Sequence, residues 1–248
     1  MRTGRVVGIL QARMSSKRLP GKVLKMILGR PMLARQLERV ARCAALDQLI
    51  VATSKEETDD PIESLCQSVS VRCYRGSLDD VLDRFYQCAH SAEASHVVRL
   101  TGDCPLADPN LIAELVDFYR EQDADYASNC RPPTLPDGLD AEVFSIAALD
   151  AAWRESVDPY EREHVVPFIL RRPERFATIN WKWKDDLSDL RWTVDELEDF
   201  EFVTRVYEYL FHKTPNFDLN DVLMLIQQHP QLKEINGHFL QNEASKRT

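Results

Sequence analysis

Over the first 130 residues, short apolar, β-branched runs alternate with stretches of helical period, and this alternation restricts the fold more than any other feature of the chain. The spacing predicts strands at Val6–Leu10, Gln48–Thr53, Val69–Tyr74 and His96–Leu100. Between them it predicts helices at Pro31–Cys43, Asp60–Gln67, Leu78–Ala92 and Asn110–Glu121. Pro31 and Pro61 fall where the first turn of a helix tolerates proline. Strands joined through helices of this length run parallel, so the chain reads as an α/β protein with a doubly wound, mostly parallel open sheet.

The second half has a different texture. Arg131–Gly138 holds three prolines and reads as a turn region rather than sheet interior. Strands are expected at Ala141–Ser145 and Phe176–Trp183, and helices at Ile146–Glu155, Tyr160–Arg171, Leu197–Phe211 and Asn220–His229. This pattern fits a sheet finished by an added lobe, with helices returning at the end. There is no internal repeat or low-complexity linker, and residues 241–248 are expected to form a frayed tail.

The chain has 248 residues and a net charge of −9, which argues against a nucleic-acid binder working by long-range attraction to phosphates. The first residues lack the apolar core of a signal peptide, and no apolar run reaches membrane-spanning length, so a cytoplasmic protein is expected. Six cysteines stand without CxxC or CxxH spacing, which suits reduced thiols and gives no zinc site.

Against this acidic background, one loop stands out. The strand ending at Leu10 runs into Gln11–Lys22, which carries Arg13, Lys17, Arg18 and Lys22 together with Ser15, Ser16 and Gly21. Cations crowded at the carboxyl end of a strand repel one another unless an anion lies among them, and a polyphosphate fits that place. Neither GxxxxGK[ST] nor GxGxxG is present. A second strand ends in Thr101-Gly102-Asp103-Cys104-Pro105, where Asp103 could hold Mg²⁺ against the phosphates. Asp108, ahead of Pro109, is the better helix cap, which leaves Asp103 free. Asp195 ends an apolar run from Leu190 and could be a second metal carboxylate; equally, it could cap a helix with Glu198 completing a capping box.

Other groups have two readings each. Asp140 and Glu142 alternate on one face of an extended strand, toward either a polar substrate or solvent. Glu163 and His164 lie in a segment expected to open a helix, where acidic residues also favour the dipole without any ligand. Asp80 and Arg84, four apart after the strand ending near Gly76, could pair with each other or touch a nucleotide. Asp123-Ala124-Asp125 matches the DxD of sugar-nucleotide glycosyltransferases, a weak signal among 40 acidic residues.

The run Gln11-Ala12-Arg13-Met14-Ser15-Ser16-Lys17-Arg18-Leu19-Pro20-Gly21-Lys22 resembles the signature loop of the CMP-sugar-acid cytidylyltransferases, nearest the SpsF-type branch of spore-coat polysaccharide biosynthesis. The likeness continues in order through Leu28–Leu33, Gly76–Arg84, Thr101–Pro105, Asp137–Phe144, Glu163-His164 and Arg191–Asp195. It implies a Rossmann-like nucleotidyltransferase spanning residues 1–240. Residues 1–130 would be the nucleotide-binding half, 131–190 a small acceptor-binding and dimerisation lobe, and 191–240 a return strand with C-terminal helices.

By the same resemblance the protein would use CTP and Mg²⁺ and act as a homodimer. It would attach CMP to a keto-deoxy sugar acid, nonulosonic or similar, and release pyrophosphate. Ala12, Arg13, Ser16 and Lys22 would hold the triphosphate and ribose, with Leu10, Gly76, Asp80, Arg84, Thr101, Gly102 and Asp103 as further nucleotide contacts. Arg13 and Lys22 would stabilise the leaving pyrophosphate, and Asp103 and Asp195 would bind the metal. Asp140, Glu142, Glu163 and His164 would face the acceptor. Gln11 stands where many sugar-acid synthetases have Pro, and Thr101 replaces a Gln of the KDO-specific relatives. Two other classes compete: a nucleotide-sugar glycosyltransferase, which releases no pyrophosphate, and a nucleotide-binding module without turnover.

Overall fold

Strand β1 (Val6–Gln11) sends Val6 and Leu10 into one helical layer and Val7 and Ile9 into the other. A strand covered on both faces has no polar side, so its sequence is a continuous apolar run. The computed structural model describes residues 3–239, and the tail expected at 241–248 lies outside them. After a turn of 3-10 helix at Lys22–Leu24, a hairpin of β2 (Met26–Ile27) and β3 (Arg30–Pro31) leads into α1 (Met32–Val40). Next come β4 (Gln48–Ser54), α2 (Asp60–Ser68), β5 (Arg72–Gly76), α3 (Val81–Ser91), β6 (His96–Thr101) and α4 (Pro109–Glu121). The chain continues through β7 (Tyr126–Ser128), β8 (Glu142–Ser145), α5 (Ile146–Glu155), α6 (Pro159–His164), α7 (Pro167–Leu170) and β9 (Thr178–Asn180). Helices α8 (Leu197–Leu210), α9 (Leu219–Gln228) and α10 (Leu232–Asn236) follow.

Seven strands form one sheet in the order β5-β4-β1-β6-β8-β7-β9, parallel throughout except for β8, which opposes both β6 and β7. The strands of residues 126–180 therefore extend the same sheet. Helices α1, α2, α4, α8 and α9 pack on one face, and α3, α5 and α7 on the other. From β1 the chain steps outward to β4 and β5, then returns to the opposite flank of β1 at β6. The order of strands thus reverses between β1 and β6, where Gln11 lies opposite Thr101. A crevice opens at the carboxyl ends of strands at such a point, and ligands bind there. Among the described residues no helix is long and apolar enough to cross a membrane.

Four sequence expectations change. The strand expected at Val69–Tyr74 starts at Arg72, because Ser70 takes φ 57° and the Val71 N–H bonds back to Cys66 in the terminal turn of α2. The helix expected over Tyr160–Arg171 breaks into α6 and α7 at Val165. The strand expected at Phe176–Trp183 shortens to Thr178–Asn180, since the Phe176 N–H still bonds to Arg172 in a helical turn. The run from Leu190 makes only an isolated bridge, Arg191 with Asp137, rather than a strand. Strand β7, the β2–β3 hairpin and α10 had no counterpart in the sequence reading.

Candidate active site

The cationic loop is built around the backbone of Met14. Its carbonyl accepts from Ser16 N–H at 2.9 Å and Gly21 N–H at 3.0 Å, and its own N–H donates to Asp59 Oδ1 at 2.8 Å. Asp59 is buried at the start of α2 and also accepts from the hydroxyls of Thr53 and Ser54. Burial works against its charge, but the bonds from Ser54, Met14 and Thr53 outweigh it and hold the carboxyl below the usual range. Gly21 takes φ 69°, a left-handed conformation that side chains resist, and this turn directs Lys22 inward.

Lys22 is 7% exposed, and its ammonium meets three oxygens: Val194 O at 2.7 Å, Asp195 Oδ1 at 2.8 Å and Asp103 Oδ2 at 3.3 Å. Burial alone would lower its pKa, but Asp103 and Asp195 raise it above the ordinary lysine value. Asp103 is held below the usual carboxylate range: burial opposes ionisation, and Lys22 and Thr101 overcome it. The Val194 N–H donates to Asp103 O at 2.8 Å, which ties together two segments ninety residues apart. Asp195 Oδ2 also pairs with Arg18 at 2.7 Å.

Asp195 is not the helix cap. The capping box of α8 uses Glu196 and Asp199 in place of the expected Asp195 and Glu198. Asp199 is fully buried and accepts from the N–H groups of Asp195 and Glu196, from Asn236 and from Nε and Nη2 along one edge of the Arg191 guanidinium. Asp195 is thereby fixed one residue ahead of the Glu196 cap with its carboxylate turned to the loop.

These groups line a cavity of about 380 Å³ at the β1/β6 switch point. Of the residues expected from sequence, it brings together Ala12, Arg13, Ser16, Lys22, Arg84, Thr101, Gly102, Asp103, Glu163, His164 and Asp195. Six cationic side chains face three carboxylates there, so the cavity attracts anions within an acidic protein. Gly102 is required by close approach: a Cβ would lie 3.0 Å from Gln11 O and 3.1 Å from the Ala12 Cβ. Arg84 bonds to Ser77 O, and its buried Nε has no hydrogen-bond partner among the described residues. Burial, with Arg13 beside it, lowers its pKa to about 10.

The remaining expected residues lie elsewhere. Leu10 is a core residue beneath the cavity. Gly76 lets α3 approach, since a Cβ would meet the Arg84 side chain at 2.8 Å. Asp80 pairs with neither Arg84 nor the cavity: it caps α3 through Asp83 N–H and binds Arg162 at 2.6 Å. Glu142 is 3% exposed and taken up by Arg99, the Tyr126 hydroxyl at 2.6 Å and Arg131 at 3.7 Å. Burial opposes its charge, and Arg99 and Arg131 hold it ionised below the usual range. Asp140 is pushed up to about 8 by burial and by Asp137, Glu142 and Asp103. The DxD pair is outside the cavity, with Asp125 accepting from Ala177 N–H beside β9.

Glu163 and His164 close α6 rather than open a helix. Val165 follows at φ 71° and ψ −58°, a γ-turn that the Val166 N–H to His164 O bond completes at 2.9 Å. A buried β-branched residue at positive φ is strained, and the turn aims Glu163 and His164 at the cavity. Burial lowers the His164 pKa, helped by Arg99 and Arg131 and opposed by Glu163.

Sequence reasoning missed Arg99, Asp59 and the Arg191–Asp199 pair, and it named Arg18 only as one of the loop's cations, not as the partner of Asp195. A charge inside the apolar run Val97-Val98-Arg99-Leu100 was the available signal for Arg99; nothing local marks Asp59.

Among the described residues no group of three or more His, Cys, Asp or Glu could hold a metal. Asp103 and Asp195 nonetheless converge on a single point, the Lys22 ammonium. Two hard carboxylate donors, completed by phosphate and water oxygens, are the usual protein share of a Mg²⁺ site, so the pair fits a metal that arrives with a nucleotide.

A doubly wound sheet with a cationic loop and two facing carboxylates at its switch point defines a protein of the nucleotidyltransferase class. Residues 7–243 match the family described as Cytidylyltransferase, and the chain belongs to that family; it is a CTP-dependent nucleotidyltransferase. It is 32% identical to the spore coat polysaccharide biosynthesis protein SpsF of Bacillus subtilis, across 91% of this chain and 95% of that protein. It is 29% identical to a 3-deoxy-manno-octulosonate cytidylyltransferase of Chlamydia trachomatis, across 68% of each. A solved cytidylyltransferase of Leptospira borgpetersenii superposes with a TM-score of 0.88 at 30% identity, covering 96% of this chain and 99% of that one.

Proposed function

We propose that this protein transfers CMP from CTP to a hydroxyl of a small sugar acid and releases pyrophosphate, with Mg²⁺ held by Asp103 and Asp195, in the synthesis of a surface polysaccharide or glycan precursor. The observation that carries the reading is the convergence of those two carboxylates inside a cavity rich in cations. The names of the relatives support the acceptor class, since one acts on a 3-deoxy sugar acid and another serves polysaccharide synthesis.

An acceptor oxygen attacks the α-phosphorus, the bond from that phosphorus to the bridging oxygen breaks, and pyrophosphate leaves with the electron pair. The hydroxyl proton passes to solvent. Arg13, Arg84 and Lys22 neutralise charge on the triphosphate and the leaving pyrophosphate, and Ser16 with the loop N–H groups fixes its oxygens. All five of Thr101, Gly102, Glu163, His164 and Arg99 line the cavity; in this reading Thr101 and Gly102 would contact the nucleoside, and Glu163, His164 and Arg99 the acceptor. The metal supplies additional positive charge at the α-phosphate. The continuous sheet supports one catalytic domain over residues 1–240, and Asp140 and Glu142, which do not line the cavity, would serve the acceptor through residues that do. A homodimer in the cytoplasm completes the proposal, and sedimentation of the purified protein checks the dimer.

The test is pyrophosphate release with four nucleoside triphosphates crossed against a panel of sugar acids. CTP with one keto-deoxy acid should give turnover, and Asp103→Asn should lower it by about two orders of magnitude or more while the protein still folds. Near-normal turnover by Asp103→Asn would overturn the metal assignment. A sugar-nucleotide donor reacting without pyrophosphate would overturn the reaction itself.

A further inference from the structure

We propose that Lys22 is a built-in counter-ion that closes the metal position, so that a divalent ion enters only with or after the triphosphate. This inference rests on the metal reading above and adds an order to it. The Lys22 ammonium has three N–H donors and meets three oxygens, two of them the Asp103 and Asp195 carboxylate oxygens that a metal would need. Its side chain is 9% exposed, so solvent does not compete for those bonds. The second oxygen of Asp195 is occupied by Arg18 at 2.7 Å, and that of Asp103 accepts from the Cys104 thiol at 3.5 Å. Without a nucleotide, three of the four carboxylate oxygens are met by Lys22 and Arg18, cations of the same loop that faces the phosphates.

A divalent ion alone would have to expel an ammonium held on three sides. A triphosphate removes that obstacle, because it offers Lys22 and Arg18 phosphate oxygens in exchange for the carboxylates. The acidic pair is then released to the metal that the phosphates carry. The arrangement lets one lysine neutralise two partly buried carboxylates in the free protein and serve the phosphates in the loaded one.

Electron paramagnetic resonance with Mn²⁺ as the probe tests this without any turnover. Nucleotide-free wild-type protein should bind Mn²⁺ at least tenfold more weakly than nucleotide-free Lys22→Met, and the α,β-methylene analogue of CTP should restore protein-bound Mn²⁺ to the wild type. Adding Asp103→Asn to Lys22→Met should remove the signal. Lys22→Gln carries the same comparison should Lys22→Met fold poorly. Equal Mn²⁺ affinity of nucleotide-free wild type and variant would overturn the closure and leave the metal site standing. Absence of Mn²⁺ from both the variant and the analogue-loaded wild type would overturn the metal reading and the closure with it.

Discussion

Glu142 sits with its carboxylate divided between Arg99, Arg131 and the Tyr126 hydroxyl, and only Arg99 among these reaches the cavity. Its charge therefore acts through another residue: it fixes the direction of a guanidinium whose own buried Nε has no hydrogen-bond partner among the described residues. Glu142→Gln should cost roughly 2–4 kcal/mol of stability, because it leaves Arg99 without its counter-charge in a half-buried place. It should also raise the KM for the acceptor about tenfold while the KM for CTP moves less than twofold. Parallel loss in both constants would show that Glu142 merely supports the fold. The sequence placed Glu142 on a face with Asp140 by alternation, and alternation cannot tell a substrate from a neighbouring arginine. Asp103 was legible because it follows closely on a buried strand, and Lys22 because it closes a loop dense in cations, so neither needed knowledge of distant partners. Asp195 was ambiguous for the opposite reason: what frees it is Asp199, whose charge is met by Arg191 and by Asn236 from another helix.

Helix α1 holds the turn that carries Asp103. Gln36 donates to Thr101 O at 2.8 Å, and Arg39, 3% exposed, donates to Ala107 O at 2.8 Å and Leu106 O at 3.3 Å. The Arg39 guanidinium also lies 4.2 Å from the centre of the Phe217 ring, which joins α1 to the segment ahead of α9. Arg39→Ala leaves two buried carbonyls without these donors and opens the packing on Phe217. Chemical denaturation should show a loss of about 2–4 kcal/mol. Arg39→Lys should recover less than half of it, since an ammonium cannot both fork to two carbonyls and lie flat on a ring. A variant as stable as the wild type would remove α1 from the support of the site. The same helix shows the limit of periodicity: its apolar stripe was readable, whereas its buried arginine looks like a solvent residue until the loop it serves is in place. Strands β1, β4 and β6 were readable because sheet interiors admit little besides β-branched and aliphatic residues. The division of α6 from α7 was not, because valine is among the least expected residues at positive φ and only tertiary packing holds it there.

Across the whole molecule the carboxylates near the crevice separate into two groups with opposite dependence on pH. Asp59, Asp103, Glu142 and Asp199 are held below their ordinary values, each against the opposing effect of burial, by hydrogen bonds or neighbouring cations. Their stabilising effect is present above the unfolded values near pH 4 and is lost as the pH falls through the folded ones. Asp137, raised to about 6, and Asp140, raised to about 8, behave in the other sense, with burial as the first cause and neighbouring carboxylates adding to it. The folded protein keeps protons on these two that the unfolded chain gives up near pH 4, so their contribution is complete below that pH and fades as the pH rises to 6 and 8. Global unfolding free energy in metal-free buffer should therefore fall on both sides of a maximum in the mildly acidic range. Asp140→Asn removes the later titration, and the difference between variant and wild type reports it together with its coupling to Asp137, Glu142 and Asp103. That difference should move in favour of the variant from pH 4 to pH 8 by on the order of a few kcal/mol and then level off. Urea unfolding at five pH values measures it, and a difference independent of pH would mean that Asp140 is ionised throughout and that its buried surroundings carry one more negative charge than proposed.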